Sequence, residues 1–226
     1  MRSVVHTKDG RGFAGSRVRP STMLGATLSE VEGSRARGFG GVAVADSGEL
    51  KMRHADASAM FDGARFDTPA PSAWADLGCG DGTFTLALAE RLAPGSAIHA
   101  VDRDARAVKR VPPAASGVRI ATYVSDFTRS WPFEPGLDGI LMANSLHFVE
   151  SQREFLRRCE TALAVSGRLL IVEYDTDIAN PWVPNPVSLA LLSRLAGDAG
   201  FQRVQKLGSR RSRYQRAVLY AALCER

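Results

Sequence analysis

The sequence contains ADLGCGDGTF at residues 75–84, after a short apolar run and before LALAERL at residues 86–92, which predicts a helix. A strand, a glycine-rich turn and a helix in this order form half of a nucleotide-binding unit. Gly78, Gly80 and Gly82 stand two residues apart, and without Cβ atoms they can adopt positive φ and let a ligand approach the backbone. The amides that open the helix point at whatever lies above the turn. The stretch therefore predicts a ligand-binding turn in an α/β fold.

The spacing of the glycines separates two classes of ligand. A dinucleotide-binding turn has the pattern Gly-x-Gly-x-x-Gly, whereas this turn has Gly-x-Gly-x-Gly with an acid two positions before the first glycine. The pattern resembles motif I of the class I S-adenosylmethionine-dependent methyltransferases. That resemblance implies that the turn meets the amino-acid end and the ribose of the cofactor. It implies cofactor-binding roles, in part through the turn itself, for Asp76, Gly78, Cys79, Gly80, Asp81 and Gly82.

A second acidic residue supports the resemblance. The apolar segment at residues 98–101 is followed by Asp102, twenty positions after Gly82. This spacing suits one βαβ step, and a carboxylate there can accept hydrogen bonds from both ribose hydroxyls. The next residue, Arg103, is included in the predicted cofactor site.

A third group of predicted cofactor residues follows the next strand, at Ser125, Asp126 and Phe127. In the family, an acid at this place hydrogen-bonds the adenine amino group and an apolar neighbour packs on the ring. The resemblance implies these roles for Asp126 and Phe127. A Ser-Asp pair after a strand is also a common turn, so this alternative stays open.

The remaining pattern predicts alternating strands and helices. Strands are expected at residues 97–102, 118–124, 137–143 and 168–173, and helices at 83–92, 105–111, from 152 onward, and 186–198. Ser151 and Glu154 have the spacing of a capping box, and Asn185 before Pro186 predicts the start of the last helix, which ends before Gly200. Segments 201–207 and 214–224 are joined so closely that they must be antiparallel neighbours.

The resemblance implies an α/β fold for residues 72–226. This fold is a Rossmann-like three-layer sandwich, in which a mostly parallel seven-stranded sheet ends in a C-terminal antiparallel hairpin.

Candidate residues for the chemistry follow the predicted fourth and fifth strands. Ligands of open α/β sheets lie beyond the carboxyl ends of the strands, near the switch point. If the topology is that of the family, Asn144 contacts the cofactor and His147 lies near its methyl group. His147 is then either a catalytic base or a histidine that only contacts ligand. Tyr174 and Trp182 are candidate substrate contacts, Trp182 alternatively serving to anchor its loop.

Composition bounds the class of protein. The chain has 226 residues, of which 45% are hydrophobic and 23% charged, and no apolar run reaches membrane-spanning length. Three cysteines without a Cys-x-x-Cys pair argue for a reducing compartment, against a disulfide framework and against a structural zinc site. The N-terminus lacks the apolar core of a secretory signal. We therefore expect a cytoplasmic protein with no metal and no membrane contact.

The first 53 residues differ from the rest. Residues 1–55 hold nine Lys/Arg and five Asp/Glu, so this segment carries four of the five net positive charges. Residues 1–53 are rich in Gly, Ser and Arg and show no helix or strand period. This composition predicts a disordered or weakly structured arm. A targeting peptide and an overlong start are the alternatives. Residues 54–71 predict a lid or linker, which either covers the cofactor or packs over the sheet edge.

The predicted function is methyl transfer from S-adenosylmethionine. The segment Ala143-Asn144-Ser145-Leu146-His147 lacks the Asn/Asp-Pro-Pro-aromatic motif of family members that methylate nucleobase amines or glutamine. With no separate recognition domain, a small-molecule acceptor is favoured. Nucleic acid has weak support from six basic residues between Arg203 and Arg216, which otherwise form a solvated hairpin tip. A nicotinamide-dependent oxidoreductase and a non-catalytic partner subunit are the alternatives. The sequence leaves the oligomeric state and the methylated atom open.

Overall fold

A computed structural model describes residues 52–64, 66, 69–211 and 218–226 of the chain. All of the predicted arm except its last two residues lies outside these ranges. No helix within them is both long and apolar enough to cross a bilayer.

Eight strands form a single sheet. They are β1 (Ala73–Leu77), β2 (Ala97–Asp102), β3 (Ala114–Ala115), β4 (Val118–Val124), β5 (Leu137–Ala143), β6 (Leu163–Tyr174), β7 (Arg203–Arg211) and β8 (Val218–Glu225). Their spatial order is β3-β4-β2-β1-β5-β6-β8-β7. The five central strands from β4 to β6 pair in parallel, whereas β8 pairs antiparallel with both β6 and β7. The chain order reverses between β1 and β5, so the switch point lies at the carboxyl ends of these two strands.

This architecture confirms the predicted fold class. The prediction of seven strands omitted β3, which is a two-residue strand paired antiparallel with the edge strand β4. Strands β2, β4 and β5 have the predicted bounds. Strand β6 starts five residues before its predicted beginning because Leu163 pairs with Leu137 ahead of an irregularity in the register. Its segment from Leu169 to Glu173 is buried throughout, as expected for a strand covered on both faces.

Helices cover both faces of the sheet. They are α1 (His54–Ala59), α2 (Thr83–Ala89), α3 (Ala105–Val108), α4 (Gln152–Ala162) and α5 (Leu189–Ala199). Residues from α1, α2 and α3 share one buried apolar cluster, and residues from α4 and α5 share the other. Alternate residues of β6 enter the two clusters, Leu170 with the first helices and Leu169 with the second. The result is the three-layer arrangement that the sequence predicted.

Helices α2 and α3 end earlier than predicted. The last residues of each predicted segment form turns instead, with Arg91 N–H donating to Leu88 O and Val111 N–H donating to Val108 O. These bonds span three residues rather than four, so the α-helical pattern tightens and stops.

Two predicted helix caps are wrong. Ser151 precedes α4 but its side chain makes no capping hydrogen bond. Ser188, not Asn185, caps α5, since its Oγ accepts from Leu191 N–H at 3.2 Å. The Asn185 side chain is engaged elsewhere and donates to His147 O at 3.2 Å. Gly200 ends α5 with φ 111°, as predicted.

Segment 54–64 packs over helix α2 and the sheet. Ala57 and Phe61 are fully buried, and the Phe61 ring lies 5.9 Å from that of Phe84. Arg210 of β7 pairs with Asp56 at 2.6 Å. These contacts match the packing alternative for this segment, and its role as a lid stays a prediction.

Candidate active site at the carboxyl edge of the sheet

The glycine turn joins β1 to α2 and is tied to the neighbouring strand. The amides of Gly78 and Cys79 both donate to Val101 O of β2, at 2.8 and 3.0 Å. Gly78 and Gly80 have φ values of 87° and 54°, in the left-handed region that favours glycine. A Cβ at Gly78 would overlap the Ser145 side chain, whereas a Cβ at Gly80 would meet nothing within 4 Å. The turn is therefore packed on one side and open to a ligand on the other.

Asp76 lies beneath this turn. Its side chain is almost fully buried, its Oδ2 accepts from Thr85 Oγ1 at 2.6 Å, and its Oδ1 has no hydrogen-bond partner. Burial raises the pKa of Asp76 to about 7, although the Thr85 hydroxyl opposes this and the charge of Asp102 adds to it. Asp76 thus links β1 to α2 below the turn and does not line the open space above it.

Asp102, at the end of β2, faces the glycine turn. Its Oδ2 accepts from Gly80 N–H at 2.8 Å and its Oδ1 from Asp104 N–H at 2.8 Å. A carboxylate has about four acceptor positions, so each oxygen can accept one more hydrogen bond. The backbone thus orients Asp102 and leaves acceptor positions for a ligand.

Asp126 and Phe127 follow β4. Asp126 Oδ1 accepts from the Thr128 amide at 3.0 Å and from the Thr128 hydroxyl at 2.6 Å. The Thr128 hydroxyl is the main cause of a pKa below the usual range for Asp126. Phe127 is 8% exposed. These bonds close the turn that was the alternative interpretation of Ser125-Asp126. This turn is compatible with a ligand contact by the Asp126 carboxylate, so the two interpretations do not exclude each other.

Asn144 follows β5 in an unusual backbone conformation. Its φ is 53°, and its side-chain Oδ1 is buried without a hydrogen-bond partner. Left-handed φ is uncommon outside glycine, and such strain concentrates at ligand sites. A buried acceptor without a donor costs free energy until a donor reaches it.

One cavity of about 410 Å³ brings these positions together. It is lined by Gly78, Gly80, Asp102, Arg103, Asp126, Phe127, Thr128, Asn144, Ser145 and Phe148. Seven of these ten were predicted cofactor residues. Thr128, Ser145 and Phe148 were missed, although each lies within three residues of a predicted position. Ser145 is held by a bond from its Oγ to Leu77 O at 2.6 Å, which closes the gap between β5 and β1.

Five predicted cofactor residues support the cavity without lining it, namely Asp76, Cys79, Asp81, Gly82 and Ser125. Cys79 is buried, and burial raises the pKa of its thiol. Asp81 Oδ1 accepts from Thr83 Oγ1 at 3.2 Å at the start of α2. Ser125 N–H donates to Asp102 O at 3.0 Å and so ties β4 to β2.

The comparisons with known proteins agree with this geometry. Residues 75–167, from the glycine turn into β6, match the family model described as "Methyltransferase domain". This match covers 93 of the 226 residues, which are therefore similar to a methyltransferase domain. The fold is that of the class I S-adenosylmethionine-dependent methyltransferases, and S-adenosylmethionine is the cofactor of this family.

One curated relative is trans-aconitate 2-methyltransferase of Rhodococcus jostii (strain RHA1). It is 33% identical over 118 residues, which are 52% of this chain and 44% of the relative. The match thus spans less than half the length of that protein.

Two solved structures share the fold. A TehB-like SAM-dependent methyltransferase from Corynebacterium glutamicum has a TM-score of 0.51 at 18% identity, covering 78% of this chain and 89% of its own. An arsenic(III) S-adenosylmethionine methyltransferase from Chlamydomonas reinhardtii has a TM-score of 0.54 at 14% identity. The match covers 72% of this chain and 66% of that protein.

His147 lies in a short 3-10 helix (Leu146–Phe148) that follows β5. It is 3% exposed, and its Nδ1 lies 2.7 Å from Oε2 of Glu173, which is fully buried in β6. The sequence analysis did not identify Glu173, because only the sheet brings it beside His147. His147 is not one of the residues that line the cavity, but its ring lies 4.3 Å from that of the lining residue Phe148.

Tyr174 and Trp182, the predicted substrate residues besides His147, lie in different surroundings. The Tyr174 ring is 6.4 Å from the His147 ring. Trp182 is 79% exposed on the loop after β6, which buried Val183 anchors. The structure therefore brings Tyr174 toward His147, and Val183 takes the anchoring position that Trp182 was alternatively predicted to hold.

Proposed function

We propose that the chain is a methyltransferase that binds S-adenosylmethionine in the 410 Å³ cavity and methylates a small-molecule acceptor. The observation that carries this proposal is the open space above Gly80, in a cavity that Asp102 and Asn144 also line. That space lies at the switch point of the sheet, where ligands of this fold class bind.

The residues present fit the cofactor. The cavity volume is within the range of about 300–1,000 Å³ that is usual for small-molecule sites. Asp102 and Asn144 offer acceptor oxygens, and the cofactor carries hydroxyl and ammonium donors. The Phe127 ring supplies an apolar wall for a base. The two carboxylates of the lining, Asp102 and Asp126, outnumber the one arginine, Arg103, which suits a ligand that carries positive charge on its sulfonium and ammonium groups.

Each residue would then have a distinct role. Asp102 would hold the ribose hydroxyls, and Asp126 with Phe127 would hold the adenine. Asn144 would accept a hydrogen bond from the amino-acid end, and Asp76 would support the turn from below. When bound, S-adenosylmethionine supplies an electrophilic methyl group, so these residues mainly have to orient the reactants and exclude water.

A small-molecule acceptor is supported by the name of the curated relative, trans-aconitate 2-methyltransferase. It is also supported by the position of the cavity, since all of its lining residues lie at the carboxyl edge of one sheet. We propose the cytoplasm as its compartment, since Cys79, Cys159 and Cys224 are all free and buried.

Calorimetry with S-adenosylhomocysteine tests the proposed cofactor site, and a separate titration with NAD⁺ tests the oxidoreductase alternative. We expect S-adenosylhomocysteine to bind and NAD⁺ not to bind. Asp102→Ala should weaken binding by about 10- to 100-fold, as expected for lost hydrogen bonds to a charged group. Gly80→Arg should abolish it, because the side chain enters the open space.

Asp198→Ala is the matched control, since Asp198 pairs with Arg153 on the surface at 3.2 Å. It should leave the affinity unchanged. Unchanged affinity in both cavity variants, with thermal unfolding intact, would refute the assignment. A folded chain that binds neither ligand would instead favour a non-catalytic partner subunit.

A further inference from the structure

Two parts of the chain hold His147 directly, one of them through its imidazole and both through its backbone. Glu173 contributes both carboxylate oxygens, Oε2 to Nδ1 at 2.7 Å and Oε1 to the His147 backbone N–H at 3.2 Å. Asn185 donates its backbone N–H and its side-chain amide to His147 O, at 3.1 and 3.2 Å. Gln152 in turn donates to Asn185 O at 2.9 Å. Such a network fixes the ring position more tightly than packing alone.

The contacts bear on the tautomer of His147. When Glu173 is ionised it can only accept hydrogen bonds, and the proton between Glu173 and His147 then belongs to Nδ1. In the neutral ring, Nε2 is then the unprotonated nitrogen. Among the described residues, Nε2 has no hydrogen-bond partner, and the His147 side chain as a whole is 3% exposed. The ring therefore presents a free acceptor beside a residue that lines the cavity.

We propose that His147 Nε2 accepts the proton of a hydroxyl-bearing acceptor and that Glu173 is the positioning residue that keeps Nε2 unprotonated. This inference rests on the proposed methyltransferase activity. The acceptor O–H bond breaks, and its proton moves to Nε2. The new O–CH₃ bond forms while the S–CH₃ bond of the cofactor breaks, leaving neutral S-adenosylhomocysteine. The positive charge of the sulfonium is thereby replaced by that of the imidazolium, which lies against Glu173.

The pair specifies a class of acceptor. A base is needed only when the nucleophile enters with its proton, as a hydroxyl does. A carboxylate or a thiolate enters without one. A buried carboxylate dedicated to orienting a histidine therefore favours methylation of an alcohol or phenol over methylation of an acid.

The ionisable groups around the pair are few. Glu173 and Tyr174 come from β6, Asp175 follows them, and Tyr220 of β8 pairs directly opposite Glu173. Burial, and then the charge of Glu173, raise the pKa of Tyr220. Tyr220 OH donates to Val187 O at 2.9 Å, so its proton is already engaged.

Nitrogen NMR of the 226-residue chain tests the positioning role without cofactor or acceptor. With ¹⁵N-labelled histidine and assignment by His→Asn variants, the wild type should show unprotonated Nε2 at His147. In Glu173→Gln, the single amide oxygen is required by the His147 backbone N–H, so the NH₂ group faces Nδ1. We therefore expect the proton to move to Nε2 in this variant.

The matched control is Glu90→Gln, beside the exposed His54. It should leave the tautomer of His147 unchanged. A His147 that carries its proton on Nε2 in the wild type, or that keeps its tautomer in Glu173→Gln, would overturn the proposal.

Turnover with the three isomeric hydroxybenzoates tests the acceptor class, because each carries a hydroxyl and a carboxylate on one ring. We expect methyl ethers. His147→Asn keeps a donor for Glu173 but removes the base, so kcat should fall at least about 100-fold while S-adenosylhomocysteine still binds. Glu173→Gln should approach that loss, and His54→Asn should leave kcat unchanged.

Methyl esters as products, or no product from any isomer, would count against a hydroxyl acceptor. Failure of S-adenosylhomocysteine to bind would instead refute the proposed function, and the NMR result would still decide whether Glu173 sets the tautomer.

Discussion

The pairs His147–Glu173 and His54–Glu90 have the same N···O distance, 2.7 Å, in opposite surroundings. The side chains of the first pair are 3% and 0% exposed, and both side chains of the second are 44% exposed. Water can solvate either member of the surface pair when the other is removed, so neither residue constrains its partner. The buried carboxylate has no such alternative and has to be satisfied by protein groups. Equal geometry therefore does not imply equal energy or equal control of the histidine.

The largest difference between the pairs should appear on truncating the carboxylates. Glu173→Ala leaves the His147 N–H groups buried without an acceptor, and we expect a loss of about 3–5 kcal/mol in the free energy of unfolding. Urea denaturation measures this loss. Glu173→Gln, which keeps an acceptor for the backbone N–H, should lose less. A loss below about 1 kcal/mol for Glu173→Ala would mean that the buried pair contributes no more to the free energy of unfolding than the surface pair does.

Asp76 extends the comparison to a buried carboxylate that accepts a hydrogen bond from a hydroxyl, that of Thr85, instead of pairing with a histidine. Its pKa is raised from 3.8 to about 7, so the folded state binds the proton more tightly than the unfolded state. Stability should therefore fall as pH rises from about 4 to about 7 and become level above that. Asp76→Asn, which can still accept from Thr85, should remove this decline.

The size of the Asp76 effect follows from the pKa change. At about pH 8 the Asn variant should be more stable than the wild type by on the order of 4 kcal/mol, and near pH 4 the two should be equal. Urea titrations across pH measure this difference. Parallel pH profiles of the two proteins would contradict the raised pKa. Glu173→Gln is the control, because it removes the charge of a different buried carboxylate in the same sheet.

The smallest effect is expected at the surface pair. Glu90→Ala should cost less than about 1 kcal/mol in the free energy of unfolding, and high salt should reduce this cost further. The measurement is urea denaturation of wild type and variant at low and high ionic strength. Since Ser58 also donates to Glu90, Ser58→Ala serves as the control for loss of that hydrogen bond. A salt-independent cost of several kcal/mol would erase the distinction between the pairs.

The cavity could be predicted in part because its walls lie at strand ends that the sequence marks. Gly80, Asp102 and Asn144 each follow an apolar strand, and parallel strands bring such positions to one edge. Thr128 and Phe148 escaped prediction because nothing in their local pattern indicates which way their side chains turn. Ser145 was missed because its bond to Leu77 O joins residues 68 positions apart, which no local pattern indicates.

By itself the sequence determined the order of the elements, the bounds of β2, β4 and β5, and the open glycine turn, because these depend on apolar runs and on backbone freedom over a few residues. Only the tertiary structure decided that Glu173 meets His147, that Asn185 clamps His147 instead of capping α5, and that Asp76 is buried below the turn. Those outcomes depend on contacts between residues far apart in the chain and on how much water folding removes from each charge. No local pattern encodes either quantity.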